Sequence, residues 1–101
     1  MSQNTPELRQ LVIARLQTVI DPETGADVWR MRLVEDLDVD ERGRVSYGFR
    51  PSSPLCPIAV PLALAIQDVI RQTSGVTGQQ IEVRDFVQAD LLTELLNRLE
   101  Q

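Results

Sequence analysis

The residue best suited to chemistry in this 101-residue chain is its single cysteine, Cys56, in the segment SSPLCPIAVPLALAI over residues 52–66. The chain has no histidine, which excludes Ser-His and Cys-His nucleophile pairs and histidine-based zinc sites. Pro57 disfavours the α conformation at Cys56 and suits the first position of a helix. Cys56 is therefore predicted at or just before the N-cap of an apolar helix, where free amides and the positive helix end favour thiolate.

Two interpretations of Cys56 are open from the sequence. Free cysteine is among the most buried residue types, so Cys56 fits a purely structural role in packing. In the second interpretation the sulfur lies open at the helix entrance, as a thiol tuned toward the thiolate by the free amides and the positive helix end. The two interpretations differ in the exposure expected for the thiol.

Carboxylates are the other candidates for a site. Asp21 and Glu23 lie in VIDPETG and suit either metal coordination or contact with a partner, whereas in the simpler interpretation Asp21 accepts hydrogen bonds from the amides of its own turn. Further along the chain lies an acidic cluster formed by Asp36, Asp38, Asp40 and Glu41. This cluster lacks the spacing of a Ca²⁺ loop, so we interpret it as a solvated face.

Composition narrows the possible partners and the compartment. The 10 Lys and Arg residues against 15 Asp and Glu give a net charge of −5. That charge repels nucleic acids and anionic membrane surfaces, so neither is expected as a partner. The start MSQNTPELRQ lacks the pattern of a secretory signal, and a single cysteine cannot form an internal disulfide; both predict a cytoplasmic protein.

The motifs of common enzymes are missing from the sequence. It has no CxxC, no GxxxxGK[ST] and no GxGxxG, so phosphate-loop and dinucleotide sites have no support. A thiol nucleophile needs a nearby base, and without histidine few groups can serve. An enzyme is therefore disfavoured, and no catalytic residue is predicted.

The hydrophobic pattern predicts six elements. Helices are predicted over residues 5–20, 57–73 and 89–100, and strands over residues 28–39, 44–49 and 80–87. Thr5 and Pro6 suit the cap and the first position of the first helix. Glu35 breaks the alternation of its strand, which predicts a bulge or an edge position there. The order α-β-β-α-β-α predicts a single α+β domain over residues 1–101, with a small sheet covered by helices in two layers.

The closing helix carries an apolar stripe formed by Leu91, Leu92, Leu95, Leu96 and Leu99. The first interpretation of this stripe is a face that packs on the core. A terminal helix with such a stripe also suits docking on a second subunit.

Three stretches in order resemble a known family: VIDPETG after the first helix, the following hairpin, and SSPLCP before the second helix. Over residues 7–87 they resemble the small iron–sulfur cluster assembly domain (domain of unknown function 59), which includes SufT-type maturation factors and PaaD-like proteins. The positions that match its pattern are Asp21, Pro22, Glu23, Leu33, Val34, Ser52, Cys56 and Pro57. Arg32 and Leu55 stand where that family usually has glycine.

The resemblance implies an accessory factor in iron–sulfur cluster assembly or iron–sulfur protein maturation. It implies that Cys56 contacts a transiently held iron ion or cluster, or a partner, and that Asp21 and Glu23 are further metal ligands. Residues implied to support the motif are Pro22, Ser52 and Pro57. Because iron–sulfur clusters are usually held by four thiolates, one cysteine per chain implies a homodimer, or a partner from the assembly machinery or among its client apoproteins.

One rival function stays open beside this one. A non-catalytic protein-interaction module would use the acidic surface or the last helix, with Cys56 purely structural. Within the family, PaaD-like members carry additional cysteines toward the C-terminus, and this chain has none, which favours the SufT-type comparison.

Overall fold

A computed structural model of the chain describes residues 5–100. Its helices are α1 (Thr5–Leu16), α2 (Ala59–Arg71) and α3 (Ala89–Arg98), and its strands are β1 (Val34–Val39), β2 (Arg44–Phe49) and β3 (Gly78–Val83). The predicted order α-β-β-α-β-α and the α+β class are confirmed. None of the three helices is long and apolar enough to cross a lipid bilayer.

The three strands form one sheet in the order β1-β2-β3. β1 runs antiparallel to β2, and β2 runs parallel to β3. The parallel pair needs a crossover connection from β2 to β3, and α2 lies in that connection. The register of the first pair shifts between Glu35 and Asp38, and Asp36 there has a φ of 52°. The bulge predicted at Glu35 is therefore confirmed, and it lies on an edge strand.

The core lies between the sheet and the helices. The side chains of Val45, Tyr47 and Phe49 are all buried on one face of β2, as their alternation predicts. From α2 the core receives Ala59, Leu62, Ala63, Ile66, Gln67 and Ile70. The helical spacing predicts an α2 stripe of Ile58, Leu62, Ile66, Val69 and Ile70. Of these, Ile58 and Val69 are only partly buried against the core.

The first helix ends at Leu16 instead of the predicted residue 20. The backbone N–H and hydroxyl of Thr18 both donate to the carbonyl of Arg15, at 3.0 and 2.6 Å, and close the helix with a tight turn. Helical spacing over residues 5–20 predicts both Leu11 and Ile20 on the apolar face of this helix. Both are half exposed, Ile20 because the chain has left the helix before it and Leu11 within the helix itself. The capping predicted for Thr5 concerns a side chain outside the described part of the structure.

Residues 28–32 form a turn, and the prediction of a strand from residue 28 is wrong. The N–H of Met31 donates to the carbonyl of Asp27, and that of Leu33 donates to the carbonyl of Val28, which closes the turn before β1 begins at Val34. The third strand spans residues 78–83 instead of 80–87, since Asp85 has a positive φ of 50° that strands do not adopt.

The second helix begins at Ala59 with Ile58 as its N-cap, two residues later than predicted. Pro61 has no N–H to donate to the carbonyl of Pro57. The first α-type bond therefore runs from the N–H of Leu62 to the carbonyl of Ile58, at 3.0 Å. Pro57 thus precedes the N-cap, and the prediction that it occupies the first helical position is wrong.

Only part of the leucine stripe of α3 packs on the core. Leu92 and Leu96 are buried, whereas Leu91, Leu95 and Leu99 remain 51%, 47% and 59% exposed. The prediction that all five leucines share one core face is therefore wrong for three of them. The cause lies in how α3 attaches to the sheet.

Polar side chains attach α3 to the outer edge of β3. Asn97 accepts a hydrogen bond from the Ile81 N–H at 3.0 Å and donates one to the Ile81 carbonyl at 2.9 Å. The hydroxyl of Thr93 accepts from the N–H of Val83 at 2.8 Å. These bonds occupy backbone groups that an edge strand otherwise leaves unpaired, and they turn the remaining leucines of α3 outward.

Candidate functional site

Cys56 lies in the loop between β2 and α2, two residues before the N-cap of α2. Its N–H donates to the Ser53 carbonyl at 3.2 Å, and its carbonyl accepts from the N–H of Ala59 at 3.2 Å. A third bond, from the N–H of Val87 to the carbonyl of Pro54 at 2.9 Å, ties this loop to the segment after β3. Cys56 therefore lies shortly before the N-cap, outside the helix, as its following proline predicts.

The thiol of Cys56 is not open at the helix entrance. Cys56 is only 5% exposed and belongs to the hydrophobic core, while Ser52, Pro54 and Leu55 before it are exposed. The interpretation that required an exposed sulfur is contradicted for this conformation. Contact between Sγ and another molecule requires the loop over residues 51–58 to open.

Asp21 is the buried carboxylate of the turn after α1, and it is 1% exposed. Its Oδ1 accepts from the N–H of Glu23 at 2.8 Å, which confirms the interpretation that Asp21 stabilises its own turn. Its Oδ2 is buried and has no hydrogen-bond partner among the described residues. Pro22 and Glu23 are exposed beside it. One oxygen of Asp21 is therefore left without the partner that buried acceptors normally have.

Cys56, Asp21 and Glu23 do not form a metal site within one chain. Across residues 5–100 there is no group of three or more His, Cys, Asp or Glu side chains able to hold a metal ion. A closed iron–sulfur or zinc site needs four ligands. The donor set of a single chain therefore cannot complete such a site without ligands from another molecule.

A cluster of ion pairs lies at the end of the sheet where β2 and β3 leave it and β1 enters. Arg50, after β2, bonds to both carboxylate oxygens of Glu35 at 3.1 Å and also pairs with Asp85. Arg84, after β3, bonds to Glu35 at 3.0 Å, to Asp36 at 2.6 Å and to Glu82 at 2.7 Å. Glu35 joins the two arginines, because it lies at the bulge of β1.

Gly48 makes room for this ion-pair cluster. A Cβ atom at Gly48 would lie 2.4 Å from Cζ of Arg84, so any side chain there would displace the guanidinium. The sequence analysis missed the cluster, because its members come together only once the order and register of the strands are known. The Asp36 side chain is exposed, as the interpretation of a solvated face predicts, and it also pairs with Arg84.

The ion-pair cluster makes the stability of the fold depend on pH. Hydrogen bonds from Arg50 and then Arg84 lower the pKa of Glu35 from its ordinary value of 4.5. A lowered folded-state pKa stabilises the fold above about pH 4.5, and this contribution is lost as the pH falls through the lowered value. Glu35→Gln is therefore expected to cost about 0.5–1 kcal/mol at pH 7 and less at pH 3. Urea unfolding of both proteins at the two pH values checks this, and an equal cost at both would contradict it.

Arg32 keeps the backbone shape of a glycine at one position where the resembled family usually has glycine. Its φ is 60°, whereas Leu55, the second such position, does not have a positive φ. A left-handed backbone costs a residue with a side chain about 1–2 kcal/mol. The turn of residues 28–32 thus keeps the left-handed conformation at Arg32 despite the loss of the glycine.

Arg32→Gly is expected to stabilise the protein by about 0.5 kcal/mol, because relief of the strain exceeds the entropy that glycine adds to the unfolded chain. Arg30→Gly in the same turn is the matched control, since Arg30 has no positive φ. There we expect a loss of about 0.5–1 kcal/mol. Urea denaturation measures both values. If the two glycine variants lose equal stability, the strain assigned to Arg32 is absent.

Known proteins resemble this chain in sequence and in the arrangement of its elements. The family described as iron-sulfur cluster assembly protein matches residues 9–83. A crystal structure of the domain of unknown function DUF59 from Bacillus anthracis superposes with a TM-score of 0.73 at 25% sequence identity, and covers 82% of this chain and 79% of that chain. The family match over residues 9–83 includes β1, β2, α2, β3 and the loop that carries Cys56.

Two similar proteins have names that describe a function. The Fe-S protein maturation auxiliary factor YitW of Bacillus subtilis is 26% identical over 76 residues, which cover 75% of this chain and 74% of that protein. An Fe-S protein maturation auxiliary factor of Porphyromonas gingivalis is 25% identical over 91 residues, which cover 83% of this chain and 87% of that protein. Both alignments cover most of this chain and most of the similar protein.

Proposed function

The chain belongs to the family of iron–sulfur cluster assembly proteins, and from that membership we propose that it is an accessory factor in iron–sulfur cluster assembly or iron–sulfur protein maturation. The names of its Bacillus and Porphyromonas relatives support this role. The observation that carries the proposal is the position of Cys56, the only cysteine, in the loop before α2, where it follows the four exposed residues 52–55. Iron or a cluster is cargo in this proposal and not a resident part of the protein.

The thiolate of Cys56 contacts the cargo or a partner only while the loop over residues 51–58 is open. Two of the backbone hydrogen bonds that close this loop are 3.2 Å long, and the residues before the cysteine are exposed. Segments with few buried contacts open at a lower free-energy cost than the core. A thiol that is buried at rest and exposed on opening suits brief contact followed by handover.

Asp21 and Glu23 are proposed as accessory oxygen ligands for the same cargo. The unpartnered Oδ2 of Asp21 is the supporting observation, because a buried acceptor without a partner gains from a cation or a donor. Within one chain these carboxylates are not grouped with Cys56. Their contribution therefore belongs to an assembled state in which a second molecule supplies further ligands.

The proposed partners follow from the single thiol. A homodimer supplies two Cys56 thiolates, and assembly machinery or a client apoprotein supplies the remaining ligands. The negative charge of the chain argues against nucleic acid or a membrane surface as a partner. We propose the cytoplasm as the compartment of the chain, because a reduced thiol persists there. Its single cysteine also favours similarity to SufT-type over PaaD-like members of the family.

Anaerobic activation of apo-ferredoxin with iron and sulfide tests the proposal. Substoichiometric chain is expected to raise the rate at which holo-ferredoxin forms, and Cys56→Ser is expected to lose the whole increase. Ser46→Ala, an exposed change on the open face of the sheet, is the control and is expected to keep the increase. If the rate is the same with and without the chain, the proposed function is wrong for this client class.

The burial of Cys56 favours a second candidate function, a protein-interaction module without metal chemistry. In that case the thiol only packs in the core, and the outward leucines of α3 contact the partner. Slow reaction of native Cys56 with a thiol reagent, together with failure to bind iron or zinc, would support it. Fast reaction that Fe²⁺ suppresses would support the first candidate.

A further inference from the structure

An apolar face on the outside of α2 and α3 has no part in the site described above. We name it the α2/α3 face, and its members are the half-exposed side chains Val60, Leu64, Leu91, Leu95 and Leu99. On each helix these residues are four apart, so they form one row along its surface. Each helix therefore presents a short apolar ridge to the outside.

Two open grooves lie between these ridges. One of ≈150 Å³ is lined in part by Val60, Leu91 and Leu95, near the start of both helices. The other, of ≈530 Å³, is lined in part by Leu64 and Leu99. The α2/α3 face thus carries two ridges and two grooves side by side.

We propose that a second copy of this chain docks on the α2/α3 face about a twofold axis. The α3 ridge of each copy, formed by Leu91, Leu95 and Leu99, then lies in the grooves of the other copy. The proposal rests on the self-association in the proposed function and not on its iron chemistry. A twofold operation pairs the same face with itself, so both ridges enter both grooves at once. Rows of residues four apart pack in this way when two helices cross at about −50°.

The apolar area of the face fits a small dimer. At exposed fractions of 42–59%, the five residues leave roughly 400 Å² of mainly apolar surface exposed per copy. A specific interface at the small end buries about 600 Å² per copy, of which about 57% is apolar. The apolar area required is therefore about 340 Å² per copy, close to what the face offers. A reversible dimer with a dissociation constant on the order of micromolar is the expected result.

Charges at the C-terminal half of the face leave a small negative excess. Arg98 pairs with Glu94, and Arg71 pairs with Glu100 and with Asp68, the last at 3.4 Å. These three carboxylates and two arginines carry a net charge of −1 per copy. Two copies therefore repel each other weakly at this end, and salt screens the repulsion.

Sedimentation equilibrium of the metal-free, reduced protein tests the proposal. From low micromolar to submillimolar concentration, the weight-average mass of the wild type is expected to rise toward twice that of one chain. Leu95→Glu is expected to remain at the mass of one chain, because it places a charge in the centre of the contact. Leu11→Glu, on the half-exposed Leu11 of α1, lines neither groove and is expected to dimerise like the wild type.

Each result decides a different point. A wild type that stays monomeric at every concentration overturns the proposal and leaves the face to an amphipathic helix of another protein. A Leu95→Glu variant that still dimerises, or a Leu11→Glu variant that does not, overturns the assignment to this face. Cys56→Ser is expected to dimerise fully, so failure of the dimer and failure of the iron chemistry remain distinguishable.

Discussion

Cys56→Ser is expected to abolish the visible absorption band that forms when the chain is incubated anaerobically with iron and sulfide. The band arises from thiolate-to-iron charge transfer, and the chain has no other cysteine to supply the thiolate. Serine is a much poorer ligand for iron in a cluster, because clusters are held by thiolates. The expected effect is loss of essentially the whole band, which absorbance spectra of the two proteins measure directly.

Folding must be controlled in this experiment, because Cys56 is a buried residue of the core. A hydroxyl buried without a partner costs about 1–3 kcal/mol, so Cys56→Ala is the second variant, with no polar group to bury. Both variants are expected to keep the native circular dichroism spectrum and to lose the band. A band of equal intensity in either variant would show that the iron is held elsewhere.

Phe49→Ala is expected to cost about 3–5 kcal/mol of unfolding free energy, the largest effect on stability among the predictions made for this chain. Phe49 is fully buried at the end of β2, and truncation leaves a cavity that the rigid sheet cannot close. Its carbonyl accepts from the N–H of Arg84 at 2.9 Å, so the core beside the ion-pair cluster loosens as well. For a domain of this size the whole stability is about 5–15 kcal/mol.

Urea denaturation at pH 7 measures this loss. Phe86→Ala is the matched control, since Phe86 is only partly buried against the core. A loss clearly smaller than that of Phe49→Ala, about 1–2 kcal/mol, is expected there. Equal losses for the two phenylalanines would contradict the deeper burial of Phe49.

Elements with strong periodicity were predicted well from the sequence. β2 alternates without interruption, and its bounds agree with the prediction at residues 44–49. The stripe of α2 and the order of the six elements were also predicted. In these segments the local pattern and the buried face carry the same information, because one side of each element meets the core.

The segment over residues 17–33 was predicted poorly because distant backbone groups determine its shape. The N–H of Val28 donates to Val19, and the N–H of Arg50 donates to Leu33, at 2.9 and 2.8 Å. No local pattern reports such bonds. The ion-pair cluster around Glu35 was missed for the same reason, since three strand ends must first be brought together.

The candidate site was predicted in position but not in exposure. Pro57 is sufficient to place Cys56 just before a helix, whereas burial of the thiol depends on which parts of the core pack over it. The turn role of Asp21 follows from local chemistry and was predicted, but its unpartnered Oδ2 is visible only in the structure. The local part of the site is therefore encoded in short motifs, and its accessibility is set by the whole fold.

Native mass spectrometry of the chain after anaerobic loading with iron and sulfide tests the central claim most directly. The account predicts a species of two chains that carries iron and sulfide, and its loss in Cys56→Ser while the two-chain apoprotein remains. A loaded wild type that contains no iron, or a Cys56→Ser variant with the same iron content as the wild type, would contradict the account.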